Sequence, residues 1–278
     1  MEEEMSKDNP LVSIITPILN GRKYLDASIE SVFTQSYPYT EHIFVDGGST
    51  DGTLEVLVSY QVKYPGRIRF ISELDKSAGE AWNKGWKIAK GEIFGWLGSD
   101  DTYEPDTILT IAEFFKANPD AYFVFGDYNV TDERGEIIRE CPTKDFDLKE
   151  MINDENCIPC PSAFYRREVI ERVGSLDTRE VGVELDYWIR VGKVFPIHRI
   201  EKVLSNFRIH EDSVSGAKGA YKMYTREGFI VSRRHGGSIF SPRARRYYKL
   251  LIIESLRPIL GFAYPAISKA LRMRQSGE

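Results

Sequence analysis

The chain is expected to fold as α/β, with a mostly parallel sheet in its first half, a second half of mixed texture, and C-terminal helices. Three observations predict this. Over the first ~125 residues, short β-rich apolar runs alternate with segments of helical periodicity, joined by short connections. Carboxylate-bearing turns follow successive runs, at Asp46, Asp51, Asp75 and the adjacent pair Asp100-Asp101. Beyond residue 126 the alternation gives way to a hairpin-like stretch and isolated strands.

The elements justify this in order. Residues 1–10 are polar and read as a frayed N-terminus. Leu11 to Thr16 is a β-rich run stopped by Pro17. Asn20 can cap the helix that follows, which carries Tyr24, Leu25, Ile29, Val32 and Phe33 at helical spacing. His42 to Val45 is a second strand, followed by the glycine-rich turn Asp46 to Thr53; Leu54, Leu57 and Val58 open the next helix. Ile68 to Ile71 is a third strand, and Ser77 is placed to cap a helix that Gly91 closes. Ile93 to Leu97 is the fourth strand and ends abruptly in Asp100-Asp101. Pro105 suits the first turn of another helix, and Tyr122 to Phe125 is a fifth strand. Then come a hairpin over 127–139, a short strand at Ser162 to Tyr165, a helix at Val183 to Val191 and a last strand at Val203 to Ile209.

The totals exclude several classes. With 278 residues, 42% hydrophobic and 28% charged, the chain can bury a sizeable core. Its net charge of −5 argues against nucleic acid as a partner, because phosphate backbones demand a basic face. Cys141, Cys157 and Cys160 are too few for a disulfide framework, and the lone C-x-x-C lacks the second pair of a four-sulfur zinc site. The acidic start Met1 to Glu4 is unlike a signal peptide, and no run approaches ~18 uncharged apolar residues. A cytoplasmic protein is expected.

In a parallel sheet the turns that follow the strands share one edge, where ligands of open α/β sheets sit. Carboxylates gathered there need a cation, and a hard divalent ion shared with a ligand phosphate meets the need.

These runs resemble those of family 2 glycosyltransferases. Val12 to Asn20 is similar to the family's V-S-I-I-x-P-x-x-N opening, and Val45 to Thr53 to its V-D-D/G-G-S-x-D-x-T turn. Glu73-Leu74-Asp75 and Ala81-Trp82-Asn83-Lys84-Gly85 resemble its E-x-D and A-x-N-x-G elements, and Ser99-Asp100-Asp101 its metal-binding D-x-D equivalent. The ordered set covers about residues 11–215. Gly47 departs from the second aspartate often found there, and Ser77 from a common glycine.

The resemblance implies a GT-A fold with three parts. These are a catalytic domain over 11–216, divided into a nucleotide-sugar half (11–126) and an acceptor half (127–216), and a basic, apolar helical segment over 217–278. Thr16, Pro17, Asn20, Asp46, Gly48, Asp75, Asn83, Ser99 and Asp100 would bind the nucleotide sugar, with UDP favoured. Asp101 would hold Mn²⁺ or Mg²⁺, with His210 as a further ligand. In Gly182 to Arg190, similar to the family's E/A-x-D-Y-x-L-W-x-R helix, Asp186 would be the base and Glu184 the second choice. The ending Phe207 to Ser215 resembles R-x-H-x-x-S-x-S, so Arg208, Ser213 and Ser215 could contact diphosphate or acceptor.

The activity implied is inverting transfer of one sugar to a carbohydrate or lipid-linked hydroxyl, in cell-surface polysaccharide or glycolipid synthesis. The absence of a Q-x-x-R-W motif and of a multi-helix membrane domain favours a non-processive enzyme. Basic flanks around the apolar stretches of 242–278 suit either packing on the domain or peripheral contact with an anionic inner membrane face; self-association is a further option. A sugar-phosphate nucleotidyltransferase is the rival enzyme, but it should carry a glycine-rich basic loop where Ile18 to Lys23 has one glycine. A non-catalytic nucleotide-sugar-binding module is the third reading.

Overall fold

The computed structural model describes residues 9–260 except 180–181, 214–215 and 217–218. The alternation is present. The first half runs β1 (Val12–Ile18), α1 (Arg22–Phe33), β2 (Thr40–Asp46), α2 (Thr53–Lys63), β3 (Ile68–Ser72), α3 (Ala78–Ile88), β4 (Ile93–Trp96), β5 (Thr102–Tyr103) and α4 (Thr107–Ala117). The second half runs β6 (Phe123–Thr131), β7 (Ile137–Cys141), α5 (Leu148–Asn153), β8 (Ala163–Arg166), α6 (Arg167–Val173), α7 (Val183–Gly192), β9 (Ile197–Arg208), α8 (Ala220–Arg234) and α9 (Pro242–Leu260).

All nine strands join one sheet in the order β3-β2-β1-β4-β8-β6-β9-β5, with β7 on β6. β3, β2, β1 and β4 are mutually parallel, with Ile15 opposite Ile43 on one side and Trp96 on the other. The antiparallel β8 then separates β4 from β6. The chain moves outward from β1 through β2 to β3, then returns to lay β4 on the opposite side of β1. That reversal opens a crevice at the carboxyl ends of β1 and β4. The expected boundary at 126/127 falls inside β6, which bridges both halves of the sheet.

Strand alternation splits the core into faces. Ile14 packs with Val32 of α1 and Ile108, Ile111 and Phe115 of α4. Ile15 packs with Trp82 and Trp86 of α3 and Trp188 of α7. The second face is aromatic: the Trp82 and Trp96 rings stack 4.1 Å apart, and the indole N–H groups of Trp86 and Trp96 both donate to Tyr165 Oη.

Several local expectations are corrected. Asn20 does not cap α1; it sits at φ 52 and its Oδ1 accepts from Thr50 N, tying the β1 end to the β2–α2 turn. Gly91 does not close α3, which ends at Ile88 with Ala89 as its C-cap. A Cβ on Gly91 would lie 2.7 Å from Leu11 O and Ser13 N, so the residue is there to let the backbones meet. Pro105 precedes its helix, because Glu104 N still bonds Leu204 O and extends β5. β9 starts at Ile197, six residues before the expected Val203. Ser77 does cap α3, accepting from Glu80 N.

Candidate active site

The site begins where β4 leaves the sheet. Leu97 N makes the last bond to β1, at Ile15 O. The chain then turns over Gly98, and a Cβ there would lie 2.7 Å from both Asp100 Oδ1 and Asp101 Oδ2. Only glycine lets the two carboxylates fold back over one spot. β5 pairs antiparallel with β9, which brings Arg208 alongside, and Asp101 Oδ1 accepts from Arg208 N at 2.9 Å. Asp100 Oδ2 lies 2.9 Å from His210 Nε2. Burial, then the charge of Asp100, pushes the Asp101 carboxyl well above its usual range.

These groups suit part of a divalent ion's shell. Two adjacent carboxylates share one surface, Asp101 is 4% exposed, and the buried His210 Nδ1 has no hydrogen-bond partner. Among the described residues no group of three His, Cys, Asp or Glu is arranged as a full ligand set. An ion here would take its remaining ligands from diphosphate and water, as Mg²⁺ sites commonly do.

Beside Asp101 opens a cavity of about 430 Å³, within the range typical of small-molecule sites. Its walls include Trp82, Tyr128, Ile158, Phe207 and Tyr224, and Glu184 stands in it with Asp101. Burial raises the Glu184 carboxyl above its usual value, and Glu227 adds to the effect. Asp186 is absent from that lining. Residues two apart on a helix point to nearly opposite sides, and Asp186 faces two arginines and a histidine. Its Oδ2 accepts from Arg190 Nε at 2.8 Å, its Oδ1 lies 2.8 Å from His235 Nε2, and Arg234 is 3.5 Å away. Although burial opposes it, hydrogen bonds from His235 and Arg190 hold the Asp186 carboxyl below its usual range. Of the two, Glu184 is the carboxylate that faces the cavity.

The expected nucleotide residues divide. Pro17, Gly48, Ser99 and Asp100 are partly accessible at the crevice edge. Asp75 Oδ1 is 2.5 Å from Lys84 Nζ. Asp46 is fully buried and spent on its own turn and β3, accepting from Gly48 N, Ser49 N and Ser72 Oγ. Thr16 is likewise buried against His42 Nε2. Asn83 clamps the backbone of Leu176 through both ends of its amide. Arg208 fastens loops: its guanidinium donates to the carbonyls of Asp100, Asp132 and Glu133. Ser213 Oγ donates to His210 O; Ser215 lies outside the described residues.

Sequence reasoning missed the contribution of α8. Tyr224 lines the cavity, Glu227 accepts from Gly182 N at the start of α7, and His235 holds Asp186. Lys193 Nζ lies 2.8 Å from His235 Nδ1, so that nitrogen accepts and Nε2 carries the proton toward Asp186. No local pattern announces these contacts. The C-x-x-C run, by contrast, was visible: Cys157 and Cys160, with Pro159 and Pro161, form a cavity wall. The first part of 242–278 packs on the domain, with Ala244 and Leu250 buried and Arg246 paired to Asp154. Residues 261–278 lie outside the described residues, and no described helix is long and apolar enough to cross a membrane.

Known proteins match this arrangement. The family model described as glycosyl transferase family 2 matches residues 13–174, more than half of the chain. A Bacillus subtilis protein, TuaG, named for teichuronic acid biosynthesis, is 31% identical over 224 residues, covering 77% of this chain and 85% of its own. An uncharacterized glycosyltransferase of Rickettsia felis is 30% identical over 219 residues, covering 74% of this chain but 35% of its own. A similar Nostoc protein is matched over 65% of its length, so the chain spans only part of these relatives. Among solved structures, S. aureus TarS in complex with UDP-GlcNAc has a TM-score of 0.62 at 18% identity, over 91% of this chain and 73% of its own. The mannosyltransferase PcManGT of Pyrobaculum calidifontis, in complex with GDP-Man and Mn²⁺, also has a TM-score of 0.62, at 16% identity over 95% of this chain and 80% of its own. With the sheet reversal and the carboxylate pair at the end of β4, these likenesses lead to one conclusion: the chain belongs to glycosyltransferase family 2 and has the GT-A fold.

Proposed function

We propose that the protein transfers a single sugar from a nucleotide sugar, UDP-linked by preference, to a hydroxyl of a carbohydrate or lipid-linked acceptor, with inversion at the anomeric carbon. One observation carries this reading: Asp101 and Glu184 line the same 430 Å³ cavity at the sheet's carboxyl edge. One end suits a leaving diphosphate and the other an attacking hydroxyl.

Glu184 takes the proton of the acceptor hydroxyl. The freed oxygen forms its bond to the anomeric carbon as the bond from that carbon to the diphosphate oxygen breaks. A single displacement inverts the carbon, and one positioned base suffices for it. Asp101, with Asp100 and His210, would hold Mn²⁺ or Mg²⁺, which supplies charge neutralisation to the departing diphosphate. The raised Glu184 carboxyl suits this duty, since a base works best with a pKa nearer the working pH. Asp186 is a positioning residue that fixes the rotation of α7. The donor classes bound by TarS and PcManGT, and the biosynthetic setting in TuaG's name, support nucleotide-sugar chemistry in surface-polysaccharide synthesis.

Glu184→Gln should lower kcat by about 10²- to 10⁴-fold while titration calorimetry shows nucleoside diphosphate binding unchanged. Full activity in that variant would remove Glu184 from the role.

A further inference from the structure

The cavity between the diphosphate end and the base is occupied, in the proposed reaction, by the sugar being transferred. Its charge lining is one-sided. Asp101 and Glu184 are acidic, and among the described lining residues there is no Lys, Arg or His. Two cations on elements that border it are engaged elsewhere: the Arg208 guanidinium on three carbonyls and over the Tyr24 ring, Arg190 on Asp186 and the carbonyls of Val173 and Ser175. The rest of the wall carries no charge: Trp82, Tyr128, Phe207 and Tyr224 offer ring faces, Ile158 and Val183 methyl groups, and Asn156 and the two cysteines neutral polar groups. Such walls suit the C–H faces of a pyranose. They offer nothing to neutralise a carboxylate, and burying an unpaired charge is costly.

We infer that the transferred sugar is electrically neutral, a hexose or N-acetylhexosamine, and that hexuronates are rejected by the charge of Glu184 acting across an apolar cavity. This rests on the proposed function and narrows its donor. A uronate carboxylate about 6–8 Å from ionised Glu184 is disfavoured roughly 30- to 100-fold at an effective dielectric near 20. An ion held by Asp101 would be engaged by the diphosphate and would leave the repulsion at the Glu184 end in place.

The test is titration calorimetry on the full chain with Mn²⁺ at pH 7.5. The probes are UDP, GDP, their neutral hexose and N-acetylhexosamine conjugates, and their hexuronate conjugates. Neutral conjugates should bind at least as tightly as the parent diphosphate, and the matching hexuronate roughly 30- to 100-fold more weakly. In Glu184→Gln the gap should narrow to within about fivefold, because the repelling charge is gone. A hexuronate that binds the wild-type chain within about threefold of its neutral counterpart overturns the inference, since repulsion of that size would be missing. A gap that persists unchanged in Glu184→Gln overturns its electrostatic basis. If neither parent diphosphate binds, the proposed function itself fails and takes the inference with it; parent binding with a preference for hexuronate sinks the inference alone.

Discussion

Glu184 and Asp186 are one helical turn's neighbours with opposite electrostatic fates, and pH separates them. The Glu184 carboxyl is raised in the fold, so its charged form is disfavoured there. That cost is absent below the unfolded pKa of ~4.3 and present at neutral pH. Glu184→Gln should therefore melt at a higher temperature than wild type at pH 7.5, with the difference vanishing below pH ~4. Asp186 has the reverse sign. Its folded pKa is lowered, so its stabilisation is present above the unfolded value of ~3.9 and is lost as pH falls through the folded value. Asp186→Asn should cost about 1–3 kcal/mol at pH 7, by taking the charged acceptor away from Arg190 and His235. Denaturant titrations from pH 7 downward check this: the gap should hold down to about pH 4 and narrow only below it, and a gap that already closes between about pH 7 and 5 would refute the linkage.

At the scale of elements, the close approaches are set by glycines and the active-site helix is set by α8. A Cβ on Gly95 in β4 would lie 2.6 Å from Phe164 Cε1 and 2.8 Å from Ile14 Cδ1 and Tyr103 Oη. Gly95→Ala should cost about 1–3 kcal/mol by overpacking, seen as a lower denaturation midpoint with an unchanged slope. Two truncations separate the roles of α8 and of residues 261–278. Ending the chain at Gly216 removes Tyr224, Glu227 and His235 and should abolish transfer. Ending it at Leu260 keeps them and should leave transfer to a soluble acceptor within about twofold, because every group assigned to the active site is retained. The same Leu260 truncation tests peripheral membrane contact: if residues 261–278 carry it, the shortened chain should leave anionic liposomes in a flotation assay.

At the scale of the whole molecule, the crevice couples ligand to stability. A nucleoside diphosphate with Mn²⁺ at 100 times its Kd should add about 2.7 kcal/mol, raising Tm by roughly 4–5 °C for a chain of this size. EDTA should cut both the shift and the turnover, and Mn²⁺ should restore them. A shift equal with and without the ion would contradict a shared metal–diphosphate site. The parallel pairing of β1 to β4 was legible in the alternation of strand and helix, because a βαβ crossover returns the chain parallel to the strand it left; the order β3-β2-β1-β4, with β4 on the far side of β1, came only from the tertiary structure. The antiparallel insertion of β8 between β4 and β6 was not legible either, because it depends on a pairing about seventy residues apart in sequence. β5 is two residues long and carries no periodicity, yet its pairing with β9 delivers Arg208 N to Asp101.

The chain's own pattern determined that carboxylates follow successive strands, that a parallel sheet gathers them at one edge, and that Asp100-Asp101 ends β4. These are local consequences of strand period, turn chemistry and crossover geometry. It also placed Glu184 and Asp186 on one helix, pointing to opposite sides. Only the tertiary structure decided which of the two faces the cavity. A helix rotates to satisfy whatever packs on it, and here His235, at the end of a helix and 49 residues further along the chain, binds Asp186 and turns Glu184 toward Asp101.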